Sequence, residues 1–277
     1  MFIGMMQGRL LPPIENKIQC FPKDRWADEF VLAKSLGLCG IEWIYESYGM
    51  KENPIASNSG ILNLKQRCIE HGIEVRSLCA DYFMTFPMLR CFNDQLEERV
   101  LHLQWLMQQA SNAGISSVVL PFVDSSKIEN EKEIAEVVDI LKKVLPTAEK
   151  LNIELHLETS LNPKKFKSLL EQLLHPLIKV NYDTGNSASL GYSLAEEFDA
   201  YGERIGSIHI KDRLLGGGTV PLGEGNADFS TLQKLLKTMN YQRPIILQIA
   251  RGPAGDEVNW IKMNVEFLKT KVPWIFS

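Results

Sequence analysis

The chain lacks the marks of several protein classes. Its longest apolar runs are only strand-sized, so no segment is long enough to span a bilayer. The opening M-F-I-G-M-M-Q-G-R-L has no basic leader, no long apolar stretch and no small-residue cleavage site. It reads as a first strand, and the expected compartment is the cytoplasm. Cysteine is sparse. The five residues (Cys20, Cys39, Cys68, Cys79 and Cys91) are odd in number and form no C-x-x-C pair, which fits reduced thiols rather than a disulfide framework. A thiol nucleophile ranks well below the bland role of small core filler. Positive charge is not in excess: the net charge of −4 argues against a nucleic-acid or anionic-membrane partner. Neither a Walker-type loop nor a dinucleotide fingerprint occurs, and there is no low-complexity stretch or interdomain linker.

What is present is a regular alternation. At 277 residues the chain is slightly longer than the roughly 250 of a typical α/β barrel, and its 45% apolar, 23% charged composition is ordinary for a soluble domain. Strand-like runs are expected at Phe2–Met6, Gly40–Ile44, Ile73–Cys79, Ser116–Pro121, Ile153–Glu158, Ile178–Asp183, Ile205–Ile210 and Pro244–Ile249. Helical spacing is expected over Lys23–Leu36, Ile61–His71, Gln95–Ala113, Glu129–Leu151, Pro163–Leu174, Leu194–Tyr201, Phe229–Met239 and Val258–Thr270. Three early units share a helix–Gly–strand pattern, the glycine supplying the left-handed residue that ends a helix. Eight alternating units predict a single (β/α)8 TIM-barrel domain over residues 1–277. The irregular segments Leu10–Pro22, Glu46–Gly60, Asp81–Asp94 and Leu214–Asp228 all follow strands, which places them on the catalytic face.

Four late strands end on polar donors: Glu158, Asp183, His209 and Gln248. Parallel strands finish on one face, so two carboxylates, an imidazole and an amide oxygen are expected to converge on one divalent metal ion: Mn²⁺, Mg²⁺, Co²⁺ or a catalytic Zn²⁺. Taken singly, each residue has a stronger structural reading; an Asp at a strand end often caps the next helix, and a lone His is often a satisfied core group. The metal reading rests on all four falling at strand ends.

The segments L-E-T, N-Y-D-T-G-N, H-I-K-D-R, V-P-L-G-E-G-N-A-D-F and Q-I-A-R resemble the sugar (phosphate) isomerase/epimerase superfamily with its xylose-isomerase-like TIM barrel. The resemblance spans nearly the whole chain and is most specific from Glu158 to Arg251. It implies one divalent metal held by Glu158, Asp183, His209 and the residue at 248, where the better-known epimerases have glutamate and this chain has Gln248. In those epimerases the two glutamates also move protons on opposite faces of an enediolate. An amide oxygen can still face a metal, but it cannot accept a proton at neutral pH. Glu158 is then the one obvious base among the ligands, which tilts the expectation toward keto–aldo isomerisation of a sugar or sugar phosphate. Epimerisation, or a lyase or dehydratase reaction on a related polyol, is the alternative. A non-catalytic sugar-binding barrel and a multi-zinc endonuclease are less favoured; the endonuclease needs more histidines at strand ends than the five here provide.

Around this set the sequence nominates substrate-binding residues. Asn186 can hydrogen-bond a hydroxyl or cap a helix. Lys211, Arg213 and Arg251, with Gln7 and Arg9 after the first strand, can stabilise charge or clamp a phosphate or carboxylate. Gly216–Gly218 is a flexible loop where barrel enzymes often bind phosphate. Asp212 can orient a neighbour. Glu154 and His156 share the inward parity of Glu158. Glu42, Glu46 and Asp81 can touch sugar hydroxyls or be structural, and Trp43, Tyr45, Tyr82 and Phe83 can wall a sugar pocket or cover the rim. The expected partner is a small carbohydrate, with a homo-oligomer allowed.

Overall fold

A computed structural model describes residues 1–276. Its strands are β1 (Ile3–Met6), β2 (Gly40–Ile44), β3 (Ser77–Cys79), β4 (Ser117–Phe122), β5 (Glu154–Thr159), β6 (Ile178–Asp183), β7 (Ile205–Ile210), a two-residue pair β8 (Asp212–Arg213) and β9 (Thr219–Val220), and β10 (Ile245–Leu247). The helices are α1 (Asp28–Ser35), α2 (Asn58–His71), α3 (Tyr82–Thr85), α4 (Asn93–Ala113), α5 (Glu131–Leu151), α6 (Pro163–Glu171), α7 (Thr184–Leu190), α8 (Leu194–Tyr201), α9 (Phe229–Thr238) and α10 (Glu257–Lys271). β1–β7 and β10 close a parallel barrel in the order β1-β10-β7-β6-β5-β4-β3-β2, as the alternation predicts.

The strands are buried on both faces, as a barrel wrapped by helices requires. The outer helices show one apolar stripe; in α5, Ile134, Val137, Val138, Leu141 and Val144 pack inward. Glycines end α2 and α4 in the left-handed conformation. Three expected elements are shorter than the apolar pattern suggests. The first helix starts at Asp28, because residues 23–27 form turns. The third strand keeps only Ser77–Cys79, with Glu74 reduced to a single bridge to Gly40. The last strand stops at Leu247, one residue before Gln248, although Gln248 N still bonds Ile210 O at 2.9 Å. The short α3, α7 and the β8–β9 pair lie in segments too brief for periodicity to reveal.

Two details of register build the site. A bulge between Val180 and Asn181 resets the β6–β7 pairing, so that Asn181 faces Ser207 and Asp183 faces His209 directly. On the other side of β5, Glu158 pairs with Pro121. One glycine matters for the rim. Gly8 sits at φ +82°, and a Cβ there would strike the Cys20 carbonyl (2.5 Å), so only glycine lets the loop over residues 10–22 fold back onto the end of β1.

Candidate metal centre and its cavity

Glu158, Asp183 and His209 each place a donor atom within 4.8 Å of the others, and all three are buried. Hydrogen bonds hold all three, Asn181 Nδ2 lying 3.0 Å from His209 Nδ1, and only Asp183 keeps one oxygen outside them. Asp183 uses Oδ1 to cap α7, accepting from the backbone N–H of Gly185 (2.9 Å) and Asn186 (2.8 Å). Its Oδ2 has no directed hydrogen bond and faces the Lys211 ammonium at 2.7 Å. The capping reading and the ligand reading of this aspartate therefore both hold, one per oxygen. His209 turns Nε2 toward Glu42 Oε1 (2.7 Å) and Nδ1 toward Glu158 Oε2 (3.5 Å). A carboxylate behind a metal-binding imidazole fixes its tautomer and orientation, and Glu42 on β2 fills that place. Glu158 is held at both oxygens, by Asn181 Nδ2 (2.9 Å) and Asn186 Nδ2 (2.6 Å).

The fourth donor is fixed by a chain of amides. Asp81 Oδ2 accepts from Gln19 Nε2 (2.7 Å), and Gln19 Oε1 accepts from Gln248 Nε2 (2.9 Å). Arg9 Nη2, which can only donate, also meets Gln19 Oε1 (3.3 Å), so this donor–acceptor order holds in either protonation state of Asp81 and leaves Gln248 Oε1 as a buried acceptor without a partner. Unpaired buried oxygens are rare, and Gln248 lies in the same cavity as Glu158. Two carboxylates, an imidazole nitrogen and an orphaned amide oxygen fit a divalent cation with oxygen-rich coordination.

Electrostatics agree with this donor set. Burial, then the neighbouring Asp183, raises the Glu158 carboxyl to about 7. Burial by itself would lower His209, but Glu42, Glu158 and Asp183 outweigh it and push the imidazole up to about 9. The site concentrates negative potential, which favours cations and draws the Lys211 ammonium to Asp183.

Beneath the site a polar column continues into the barrel. Ser207 Oγ donates to Asn181 Oδ1 (2.7 Å) and contacts His156 Nδ1 (2.7 Å), whose other nitrogen meets Glu154 (2.9 Å). Arg243 closes the column on Glu154. The inward parity of Glu154 and His156 is thus explained as support of the site from below.

A cavity of about 390 Å³ opens over these residues, lined by Glu158, Gln248, Lys211, Asn186, Arg213 and Asp81 among others. That is a size suited to a small polar ligand. The arginines are more constrained than the sequence suggests. Arg9 borders the cavity, but its guanidinium is tied to the carbonyls of Ile249 (3.0 Å) and Ile18. Arg251 holds the carbonyls of Ile18 (3.0 Å) and Leu11 (2.7 Å), and it is not among the cavity-lining residues. Arg213 bridges Gly217 O (2.9 Å) to Asn186 Oδ1 (2.9 Å), so it fastens the glycine loop beside the cavity. Gln7 Oε1 accepts from Ile44 N (2.9 Å) inside the barrel and likewise does not line the cavity. Asp212 organises the loop after β9 by accepting from the N–H groups of Gly223, Gly225 and Ala227 (2.8–3.0 Å). Tyr82 and Phe83 cover the rim against His102, while Trp43 bonds Asn53 (2.9 Å). All five thiols are free.

Asn181 and Gln19 were not foreseen as site residues. Asn181 had a readable signal, since it lies two positions before Asp183 on one strand and so shares its face. Gln19 had none; it reaches the site only because the loop over residues 10–22 folds back.

A closed parallel barrel with a Glu, Asp and His group that could hold a metal ion defines the class as a TIM barrel with a candidate metal centre at its rim. Within that class, the xylose isomerase-like TIM barrel family matches residues 30–271, and this chain belongs to that family. It is similar to the L-ribulose-5-phosphate 3-epimerase UlaE of Salmonella paratyphi C (strain RKS4594), at 25% identity over 87% of this chain and 90% of that protein. Among solved structures it resembles the IolI protein with a bound zinc atom, at TM-score 0.78 and 16% identity, covering 98% of this chain and 99% of that one. It also resembles D-psicose 3-epimerase of Clostridium cellulolyticum H10, at TM-score 0.76 and 14% identity over 98% and 99% of the two chains.

Proposed function

We propose that this chain is a metal-dependent sugar epimerase or isomerase that shifts a proton on the carbon beside the carbonyl of a ketose or ketose phosphate, through an enediolate. The observation that carries this reading is the buried Glu158, Asp183 and His209 cluster, whose Glu158 is held at both oxygens and lines a polar cavity together with Gln248, the Oε1 of which has no partner. Glu158, Asp183, His209 and Gln248 would hold the cation. When bound, it supplies Lewis-acid polarisation of the substrate carbonyl.

The chain's own residues do the rest. Glu158 takes the proton; Asn181 and Asn186 fix the direction of its lone pairs. Burial, then Asp183, raises its affinity for a proton in the metal-free site, and a bound cation would favour the ionised form that accepts the proton. Lys211 stands beside Asp183 (2.7 Å) and Asn186 (3.5 Å) at the cavity wall, placed to stabilise a developing enediolate oxygen. Similarity to proteins named as ketose 3-epimerases supports 3-epimerisation. Gln248 favours keto–aldo isomerisation as the second reading, because a single carboxylate suffices for that reaction.

The test uses the full chain in D₂O with Mn²⁺ and a panel holding L-ribulose 5-phosphate, D-psicose and their unphosphorylated or phosphorylated counterparts. Solvent deuterium is expected to enter at the carbon beside the carbonyl of at least one sugar. The label should be absent without metal and in Glu158→Gln. No exchange with any ketose in the presence of bound metal would refute the reading.

A further inference from the structure

The chain lacks the second carboxylate among its metal-site donors, yet its cavity does not lack a second carboxylate. Asp81, directly after β3, lines the same cavity as Glu158, Gln248 and Lys211. It enters from the part of the barrel wall that supplies none of the four donors, since β5, β6, β7 and β10 form one continuous arc and β3 stands outside it. Its carboxylate lies one side-chain amide away from Gln248. Neither oxygen is committed to an ion pair: Oδ1 is 3.1 Å from the Cys79 thiol and Oδ2 is 2.7 Å from the Gln19 amide.

We propose that Asp81 is the second proton-transfer residue of this site, serving the sugar face that Gln248 cannot serve, so that the chain epimerises with two carboxylates of which one is not a metal ligand. The inference rests on the ketose reading above. The Glu158 carboxylate takes the proton from the carbon beside the carbonyl, and the electron pair of that C–H bond forms the enediolate. The Asp81 carboxylic acid then donates its proton to the same carbon from the other side, restoring the carbonyl with inverted configuration. Glu158 ends protonated and Asp81 ionised, and exchange with water across the open cavity resets both. The site suits both protonation states: burial favours the neutral acid, while the Gln19 amide and the Cys79 thiol stabilise the anion.

Asp81→Asn keeps the shape and an acceptor for Gln19 but cannot carry the proton. Epimerisation should fall by about 10²-fold or more, while Mn²⁺ binding and thermal stability persist and solvent deuterium now enters recovered substrate through Glu158, because the enediolate has no second acid to trap it. Gln248→Glu placed in the Asp81→Asn background should then restore inversion, which repair of a merely structural defect would not do. The unmodified enzyme gives an independent reading. In D₂O its early epimerised product should carry solvent deuterium while recovered substrate carries none, the pattern of two separate acids. Epimerisation unchanged in Asp81→Asn, loss of wash-in together with epimerisation, or retention of the substrate proton in the product would each overturn the assignment. Absence of wash-in by the unmodified enzyme with every ketose would instead remove the ketose reading itself.

Discussion

The two sides of the barrel rim are built on different plans. On the β5–β6–β7 side each donor residue is held by a neighbour: Asn181 and Asn186 hold Glu158, α7 holds one oxygen of Asp183, and Glu42 holds His209. On the β10–β1–β3 side, arginines are tied to loop carbonyls and amides form a chain from Gln248 to Asp81. The first side is regular secondary structure ending on donors. The second depends on one long loop, residues 10–22, folded over the strand ends. The contrast separates three donors set by regular strands from a fourth, Gln248, whose amide is set by one folded-back loop.

The largest test of this division strikes the strand-set arc. Glu158→Gln should cut turnover by roughly 10²–10⁴-fold, the usual worth of a positioned acid–base group, with the fold intact by circular dichroism. A variant within a few-fold of the original would remove Glu158 from the chemistry. Next comes support from outside the arc. Glu42→Gln leaves His209 hydrogen-bonded but uncharged behind, and Mn²⁺ affinity measured by titration calorimetry should drop by about 10–100-fold. An unchanged affinity would mean that β2 does not tune the centre.

A third effect follows from protonation. Without metal, His209 titrates near 9 and Glu158 near 7, both above their ordinary values, so protons occupy the centre at neutral pH. Metal must displace them, and its affinity should rise with pH from about 6 to 9, by about tenfold per unit where one proton is displaced. Calorimetry in buffers of different ionisation heat should show that proton release; pH-independent binding would contradict the arrangement. The smallest effect belongs to the loop-built wall. Arg251→Ala removes two contacts that fasten the loop at Ile18 and Leu11, costing about 1–3 kcal/mol in denaturant unfolding, with KM nearly unchanged. A large rise in KM with stability untouched would return Arg251 to substrate binding.

The same division explains what could be read from the amino-acid order. Glu158, Asp183 and His209 close parallel strands, and strands carry a fixed parity and a common end, so their meeting followed from spacing. Asp183 opposite His209 needed a bulge at Val180–Asn181, which no residue pattern announces. Arg9, Arg213 and Arg251 read as anion ligands because charge is visible in sequence; the carbonyls that occupy them are not, since every residue has one. Asp81 was legible from its place after the third strand, whereas Gln19 depended on loop closure, at which Gly8 takes a positive φ. Gln248 reads in the sequence as a donor through its carbonyl oxygen that cannot act as a base; the structure adds the Gln19 bond that occupies its Nε2 and leaves Oε1 unpartnered.

The central claim is that four side chains from separate strands surround one ion, with Gln248 taking part through its carbonyl oxygen. Crystals grown with Mn²⁺ and measured for anomalous scattering test it directly. The account predicts a single strong peak within bonding distance of Glu158, Asp183, His209 Nδ1 and Gln248 Oε1. A structure in which no ion binds there, or in which an ion binds with the Gln248 amide turned away, would contradict it.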